Sequence, residues 1–184
     1  MIVNIVILVL VTLERLFELA LARRNTARLL SQGATEHSPG HYPLIVAVHV
    51  MWLAALWWLA RSRPIDGFWL ALFVLIELGR AWVLITLGPR WTTRIIVLPD
   101  APLVRSGPYR FLDHPNYWVV VAEIAILPLV FGLWQVALVF TILNAAVLTV
   151  RVRAENAALS ACRAQSAGRA SRRGGSSVRS GASP

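Results

Sequence analysis

Four long apolar stretches, separated by short polar segments, dominate the chain. About 20 consecutive apolar residues are needed to cross a bilayer as a helix, and four regions are this long: Met1–Leu21, Tyr42–Ala60, Gly67–Leu87 and Asn116–Val150. Because lipid offers no partners for free backbone N–H and C=O groups, membrane spans of this kind are expected to be helical. The pattern therefore predicts an all-α, polytopic membrane helix bundle.

The last of these stretches is too long for one span. Its 35 residues would extend about 52 Å as a single helix, far beyond the hydrocarbon core. Pro128 and Gly132 lie near its middle, where a helix is most easily broken. We therefore predict five transmembrane helices, the last two forming a hairpin; four spans with a long, tilted last helix is the alternative.

Composition supports the membrane class. Hydrophobic residues make up 57% of the chain and charged residues 15%, whereas a soluble domain is about a quarter charged. The net charge of +9 comes from Arg alone, since all 18 basic residues are Arg, a usage typical of a GC-rich bacterium. No basic, aromatic-lined soluble face indicates nucleic-acid binding.

The end of the chain differs from the rest. Residues 161–184 are rich in Ser, Gly, Ala and Arg, a composition typical of a disordered segment. We therefore predict a transmembrane domain over residues 1–160 and a basic, disordered tail over 161–184. The single cysteine, Cys162, excludes an intrachain disulfide and a cysteine-based metal site, and no metal site is predicted.

Arginines between the spans predict the orientation of the bundle. Cytoplasmic loops carry an excess of Lys and Arg, and the first loop, the third loop and the C-terminal end are the richer ones here. The N-terminus is accordingly predicted outside, and these three segments in the cytosol. Their arginines are Arg23, Arg24 and Arg28; Arg90, Arg94, Arg105 and Arg110; and Arg151 and Arg153, against Arg61 and Arg63 in the second loop.

The third loop ends in a motif that suggests a binding site. It contains Gly107-Pro108-Tyr109-Arg110 and then His114-Pro115-Asn116-Tyr117. Pro115 suits the first turn of a helix, which places His114 at the helix entrance beside free N–H groups. Asp113 could cap this helix. The alternative is a surface loop whose arginines contact anionic lipid headgroups.

Ionisable residues inside the spans are a second candidate. Such groups are costly in lipid and tend to face the bundle interior. Glu14 and Glu18 share one face of the first span, and Glu77 and Arg80 are three residues apart, as in a local ion pair. Glu123 has no partner on its own helix, so it is the better functional candidate.

The motif His114-Pro115-Asn116-Tyr117 resembles the Arg-His-Pro-x-Tyr signature of the isoprenylcysteine carboxyl methyltransferase family. After a long apolar run, the segment from Arg151 to Leu159 is similar to the Arg-rich helix end of that family, which carries a Glu-Glu pair. The resemblance covers roughly residues 10–160. Further segments are similar to a bacterial branch that includes alkylpyrone O-methyltransferase-like proteins: Glu14-Arg15, Arg23-Arg24-Asn25, Arg80-Ala81-Trp82, Leu87-Gly88, Trp91-Thr92 and Ile95–Pro99.

The resemblance implies a function and a set of site residues. The chain would be an S-adenosylmethionine-dependent O-methyltransferase acting on a carboxyl or hydroxyl group of a lipophilic or lipidated substrate, such as a prenylcysteine or a polyketide lipid. His114, Pro115, Tyr117 and Glu155 would bind the cofactor. Arg110, Glu123 and Arg151 are the candidate catalytic residues; either Arg could stabilise an acceptor oxygen by charge-assisted hydrogen bonds.

Two positions depart from the family pattern, and two other functions stay open. Asp113 stands where the family has Arg before His-Pro, and Asn156 replaces the second acid of the Glu-Glu pair. The first alternative is an NADPH-dependent membrane lipid reductase, a class that also carries an Asn-Tyr near a helix mouth. The second is a non-catalytic membrane protein derived from the family.

Overall fold

The computed structural model describes residues 1–37, 40, 42–98, 101–102, 104–112 and 114–177, and the predicted cap at Asp113 lies outside the described residues. The predicted all-α bundle is confirmed. The five helices are α1 (Ile2–Ser31), α2 (Tyr42–Leu59), α3 (Gly67–Leu87), α4 (Pro115–Val130) and α5 (Trp134–Ser177).

Among the residues that the structure describes, three helices are long and apolar enough to cross a membrane: α2, α3 with its short extension to Arg90, and Trp134–Glu155 of α5. Helix α4 is apolar but has only 16 residues, and α1 carries Glu14, Arg15 and Glu18 in its middle. α1 also continues ten residues beyond the apolar stretch that predicted it, ending at Ser31 instead of Leu21. The protein is thus an integral membrane protein.

The turn between α4 and α5 confirms the predicted break and rules out a single long last helix. Gly132 has φ 67°, in the left-handed region where glycine is favoured. The N–H of Gly132 donates to the carbonyl of Leu129 at 3.0 Å, and that of Leu133 to the carbonyl of Pro128 at 2.9 Å. These two bonds form a Schellman motif. Gly132, rather than Pro128, therefore ends the helix, because Pro128 lies inside α4.

The apolar core lies at the end of the bundle that holds the N-terminus. Its fully buried members include Leu8, Trp52, Leu56, Leu127 and Phe131. The start of α1 is fixed there because the side-chain amide of Asn4 donates to the carbonyls of Ala60 and Arg63, at 2.7 and 2.8 Å. The polar contacts described below lie towards the other end.

A two-stranded antiparallel sheet closes that other end, and the sequence pattern did not predict it. Strand β1 (Thr35–His37) follows α1, strand β2 (Ile95–Val97) follows α3, and Glu36 pairs with Ile96. The side-chain amide of Asn25 also donates to the carbonyls of Gly88 and Trp91, at 3.2 and 2.8 Å. The first and third loops are therefore joined on one side of the bundle.

Helix α5 extends past the apolar region. It is helical as far as Ser177, beyond the boundary at residue 160 that composition predicted, and residues 178–184 lie outside the described residues. The division into a transmembrane domain and a tail stays a prediction.

Candidate active site

The start of α4 has the predicted geometry. Pro115 is the first helical residue, and His114 occupies the position immediately before it. The imidazole of His114 stacks on the ring of Tyr117, with centroids 5.2 Å apart and planes inclined by 19°. The two rings lie three residues apart on the first turn, which places them side by side.

Two charged residues of α5 contact Tyr117. They lie in the part of α5 that the loop charges predict to be on the cytosolic side. Arg151 and Glu155 are four residues apart and therefore share one helix face. The Tyr117 hydroxyl donates to Oε2 of Glu155, and Nε of Arg151 donates to the Tyr117 oxygen at 2.9 Å. The guanidinium carbon of Arg151 lies 5.3 Å from the centroid of the Tyr117 ring. Tyr117 thus links an acid and a base of α5 to α4.

The third loop completes the arrangement through its backbone. Nη1 of Arg151 donates to the carbonyl of Thr93 at 2.7 Å, just before strand β2. The strand itself packs on α5, where Ala154 contacts Ile95 and Val97. Arg151 is therefore held from two sides, by a side chain of α4 and by the backbone of the loop.

The residues of this cluster differ in their exposure to solvent. Arg151 is buried, whereas the side chains of His114 and Glu155 are 27% and 28% exposed. Nδ1 of His114 lies 3.9 Å from Oε2 of Glu155, close enough for an ion pair when the imidazole is protonated. An accessible carboxylate beside stacked aromatic rings can accept hydrogen bonds from a ligand that also presents a flat face.

Tyr109 is a further residue near this cluster. It belongs to a short 3-10 helix, Gly107–Arg110, and its ring is partly buried. Burial raises the pKa of the Tyr109 hydroxyl to about 12, and the nearby Glu155 carboxylate adds to the increase. The hydroxyl therefore keeps its proton at neutral pH and can donate a hydrogen bond. The sequence motif Gly107-Pro108-Tyr109-Arg110 did not by itself distinguish Tyr109 as a site residue.

The structure brings together most of the predicted site residues. His114, Pro115, Tyr117 and Glu155 meet at one place, and Arg151 joins them. Arg110 is exposed, and the contacts that join these described residues do not include it. Glu123 lies elsewhere, on another face of α4. The roles given to all seven residues stay predictions.

Glu123 belongs to a buried ionic network between α1, α3 and α4. Arg80 on α3 pairs with Glu123 on α4 and, at 3.1 Å, with Glu18 on α1. Arg15 on α1 bridges the same two acids, at 2.9 Å from Glu123 and 3.0 Å from Glu18. Glu123 and Arg80 are each 2% exposed. The network therefore replaces contact with lipid by contact between charges.

The local ion pair between Arg80 and Glu77 that their spacing predicted is present, with Nε of Arg80 3.9 Å from Oε2 of Glu77. Arg80 lies closer to Glu18 on α1 and Glu123 on α4 than to Glu77, and Glu14 on α1 is 4.0 Å away. The long guanidinium side chain of Arg80 therefore contacts acids on its own helix and on two neighbouring helices at once. Sequence spacing carries no signal for such contacts between helices.

The part of the chain that holds the cluster around Tyr117 matches a known protein family. A model of the isoprenylcysteine carboxyl methyltransferase (ICMT) family matches residues 69–161, which span most of α3, the third loop, α4 and α5 as far as Ala161. No solved structure matches the chain.

Two relatives match over most of their length. The uncharacterized protein YpbQ of Bacillus subtilis is 36% identical over 158 residues, which cover 83% of this chain and 94% of that protein. An uncharacterized protein of Haemophilus influenzae is 25% identical over 154 residues, which cover 79% of this chain and 88% of the relative. With the family match over the region that holds the cluster, this extent of similarity shows that the chain belongs to the isoprenylcysteine carboxyl methyltransferase family.

Proposed function

We propose that this membrane methyltransferase-like protein is an S-adenosylmethionine-dependent O-methyltransferase that acts on a carboxyl or hydroxyl group of a lipophilic substrate. Family membership and the apolar helices support the general class. The acceptor is proposed to be a prenylcysteine-like molecule or a polyketide lipid, because both carry a reactive oxygen on a group that dissolves in a bilayer.

The observation that carries the proposal is the meeting of His114, Tyr117, Arg151 and Glu155. These residues come from two helices and lie 34 to 38 positions apart where they bond across the cluster. They surround Tyr117, at the mouth of an apolar helix. A polar cofactor and a lipid-soluble acceptor both have access to such a position.

The residues present suit the proposed cofactor. S-adenosylmethionine carries an ammonium group, ribose hydroxyls and an adenine ring. The accessible Glu155 carboxylate would accept hydrogen bonds from an ammonium or hydroxyl group, and the stacked His114 and Tyr117 rings would contact a flat base. Pro115 leaves no N–H at the first helical position and fixes the backbone beside them.

Methyl transfer would then depend on aligning the acceptor oxygen with the methyl group more than on activating either of them. S-adenosylmethionine, when bound, would supply a methyl group that is already activated on a sulfonium. The protein would hold the partners in line and exclude water. Arg151, fixed by Tyr117 and the Thr93 carbonyl, or the exposed Arg110 would stabilise a charged acceptor oxygen. Glu123 is the third candidate, deeper along α4.

The proposed location is the bacterial plasma membrane, with the N-terminus outside and the site in the cytosol. The arginine-rich loops favour this orientation. The pairing of β1 with β2 supports it, because it keeps the first and third loops on one side together with Arg151 and Glu155. A water-soluble cofactor would reach the cluster from that side.

Titration calorimetry tests the proposal. The detergent-purified protein is titrated with S-adenosylhomocysteine and separately with NADPH, and both titrations are repeated with His114→Ala and Glu155→Ala. We expect micromolar binding of S-adenosylhomocysteine that both substitutions weaken. Tyr42→Phe serves as a matched control, because Tyr42 is a cytosol-side tyrosine outside the cluster.

The other outcomes identify the alternatives. Binding of NADPH alone would move the protein to the membrane reductases. Binding of neither compound by the folded protein would favour a non-catalytic member of the family.

A further inference from the structure

The sequence of helix α4 gives little preference for one rotation of the helix about its axis over another. From Trp118 to Val130, every residue except Glu123 is apolar. Lipid tails are as apolar as leucine, so no hydrophobic driving force selects which of these faces turns inward. Van der Waals packing and polar contacts are left to set the rotation of this helix, and Glu123 is the charged residue between Trp118 and Val130.

The ion-pair partners of Glu123 in the described part of the chain lie on α1 and α3, and not on α5. One carboxylate oxygen of Glu123 contacts Arg80 on α3, and the other contacts Arg15 on α1 at 2.9 Å. Arg80 also holds Glu18 at 3.1 Å. Arg80 thereby ties three helices together at one buried point.

Tyr117 and Glu123 face different neighbours on the same helix. They are six residues apart, which corresponds to about 9 Å along the axis and about 120° around it. Tyr117 contacts Glu155 and Arg151 on α5, while Glu123 faces α1 and α3. A rotation of α4 by one residue, about 100°, would break both sets of contacts together.

We propose that Arg80 is a positioning residue that acts through Glu123: it sets the rotation of α4 and so places His114 and Tyr117 against α5. The proposal rests on the proposed function for its consequence, cofactor binding. Arg80 itself touches neither the cluster around Tyr117 nor a ligand there. Its role is to fix the helix that carries half of that cluster.

Glu77 provides the matched control. It lies in the same buried region, but it is on the same helix as Arg80 and its carboxylate is 3.9 Å from Nε of that residue. Glu77→Gln therefore removes a carboxylate from the neighbourhood without removing a contact between α3 and α4.

A cysteine pair can report the rotation directly. Gly79 on α3 faces α4, and a Cβ added there would lie 4.0 Å from Cγ2 of Val119. In a Cys162→Ser background, Gly79→Cys with Val119→Cys should form a disulfide after a small adjustment, since bonded cysteines need closely placed Cβ atoms. Cross-linking yield is measured with Arg80→Gln, Arg80→Lys, Glu123→Gln and Glu77→Gln. Affinity for S-adenosylhomocysteine is measured in the same variants without the cysteine pair.

We expect Arg80→Gln and Glu123→Gln to lower the yield at least about two-fold and the affinity about ten-fold or more, because small misplacements of binding groups are costly. Arg80→Lys should restore part of both, and Glu77→Gln should change neither. Glu123→Gln is isosteric and keeps the test open if Arg80→Gln does not fold.

Two results would overturn the proposal: unchanged cross-linking in both Gln variants at Arg80 and Glu123, or reduced cross-linking with full affinity. If the parent protein binds no S-adenosylhomocysteine, the proposed function fails. Cross-linking lost in Arg80→Gln but kept in Glu77→Gln would still support the role of Arg80 in setting α4.

Discussion

Removing one member of a buried ion pair in this network should destabilise the fold more than removing both members. In Arg80→Met, the buried Glu123, 2% exposed, keeps Arg15 as its remaining partner. Glu18 likewise keeps only its contact with Arg15 among these pairs. Replacing both members of the closest pair, as Arg80→Met with Glu123→Met, removes the uncompensated charge as well. Methionine fills a similar volume and is flexible enough to pack in the space left.

The size of the effect follows from the burial. Removing one partner of a buried ion pair destabilises a protein by about 3–5 kcal/mol, because the other charge is left without compensation. For a chain of this length each kcal/mol corresponds to about 2–4 °C in Tm. Arg80→Met should therefore lower Tm by about 6–20 °C. The double variant should recover at least half of the loss, since an apolar replacement of a buried pair is often neutral.

Thermal unfolding in detergent, followed by the fluorescence of the eight tryptophans, measures these shifts. Glu77→Gln is the control, because Glu77 is only loosely paired with Arg80 at 3.9 Å, and its Tm should stay within about 3 °C of the parent. The reasoning is refuted if Arg80→Met changes Tm no more than this control does. It is also refuted if the double variant is less stable than both single variants.

Three smaller substitutions test other contacts. Tyr117→Phe removes the hydroxyl that donates to Glu155; we expect a loss of about 1–3 kcal/mol in unfolding free energy and weaker binding of S-adenosylhomocysteine by calorimetry. Gly107→Ala forces a side chain onto a residue with φ 55° and places its Cβ 2.5 Å from Oγ1 of Thr86, so Tm should fall by several degrees, about 1–3 kcal/mol. Asn25→Ala leaves two carbonyls at the end of α3 without their donor, and a similar loss of about 1–3 kcal/mol should appear in thermal unfolding.

A control substitution accompanies each of these three changes and shows whether the loss comes from the contact named. Gly33 also has a positive φ, 87°, but a Cβ there would meet nothing within 4 Å, so Gly33→Ala should cost less than Gly107→Ala; equal losses would contradict the steric argument. Tyr42→Phe removes a hydroxyl that makes only a 3.3 Å contact with Thr93 and should leave ligand affinity unchanged. Asn25→Asp keeps the side-chain size but loses the donor, so it should resemble Asn25→Ala.

The sequence alone determined the five helical elements, although not where α1 and α5 end. Helix α3 begins at Gly67 and ends at Leu87 in both the prediction and the structure. The break before α5 was also predicted, although Gly132 alone makes it. These features are local, since the thickness of the bilayer fixes the length of an apolar segment and glycine permits the left-handed turn.

The candidate site residues came from the motif resemblance, and the fold explains why five of them lie close together. His114 and Tyr117 are separated from Arg151 and Glu155 by a helical hairpin. Once the break at Gly132 turns α5 back along α4, the start of α4 and the part of α5 around Arg151 must lie side by side. The hairpin that hydropathy predicted is thus sufficient to bring the two motifs together.

The tertiary structure alone decided which charges pair and which loops join. The pairing of Arg80 with Glu18 and Glu123, the bond from Arg151 to the Thr93 carbonyl, and the β1–β2 sheet all connect elements distant in sequence. An apolar helix in lipid presents similar faces in every direction, so its sequence pattern does not specify its neighbours. A few buried polar contacts make that choice, and they exist only once the helices have packed.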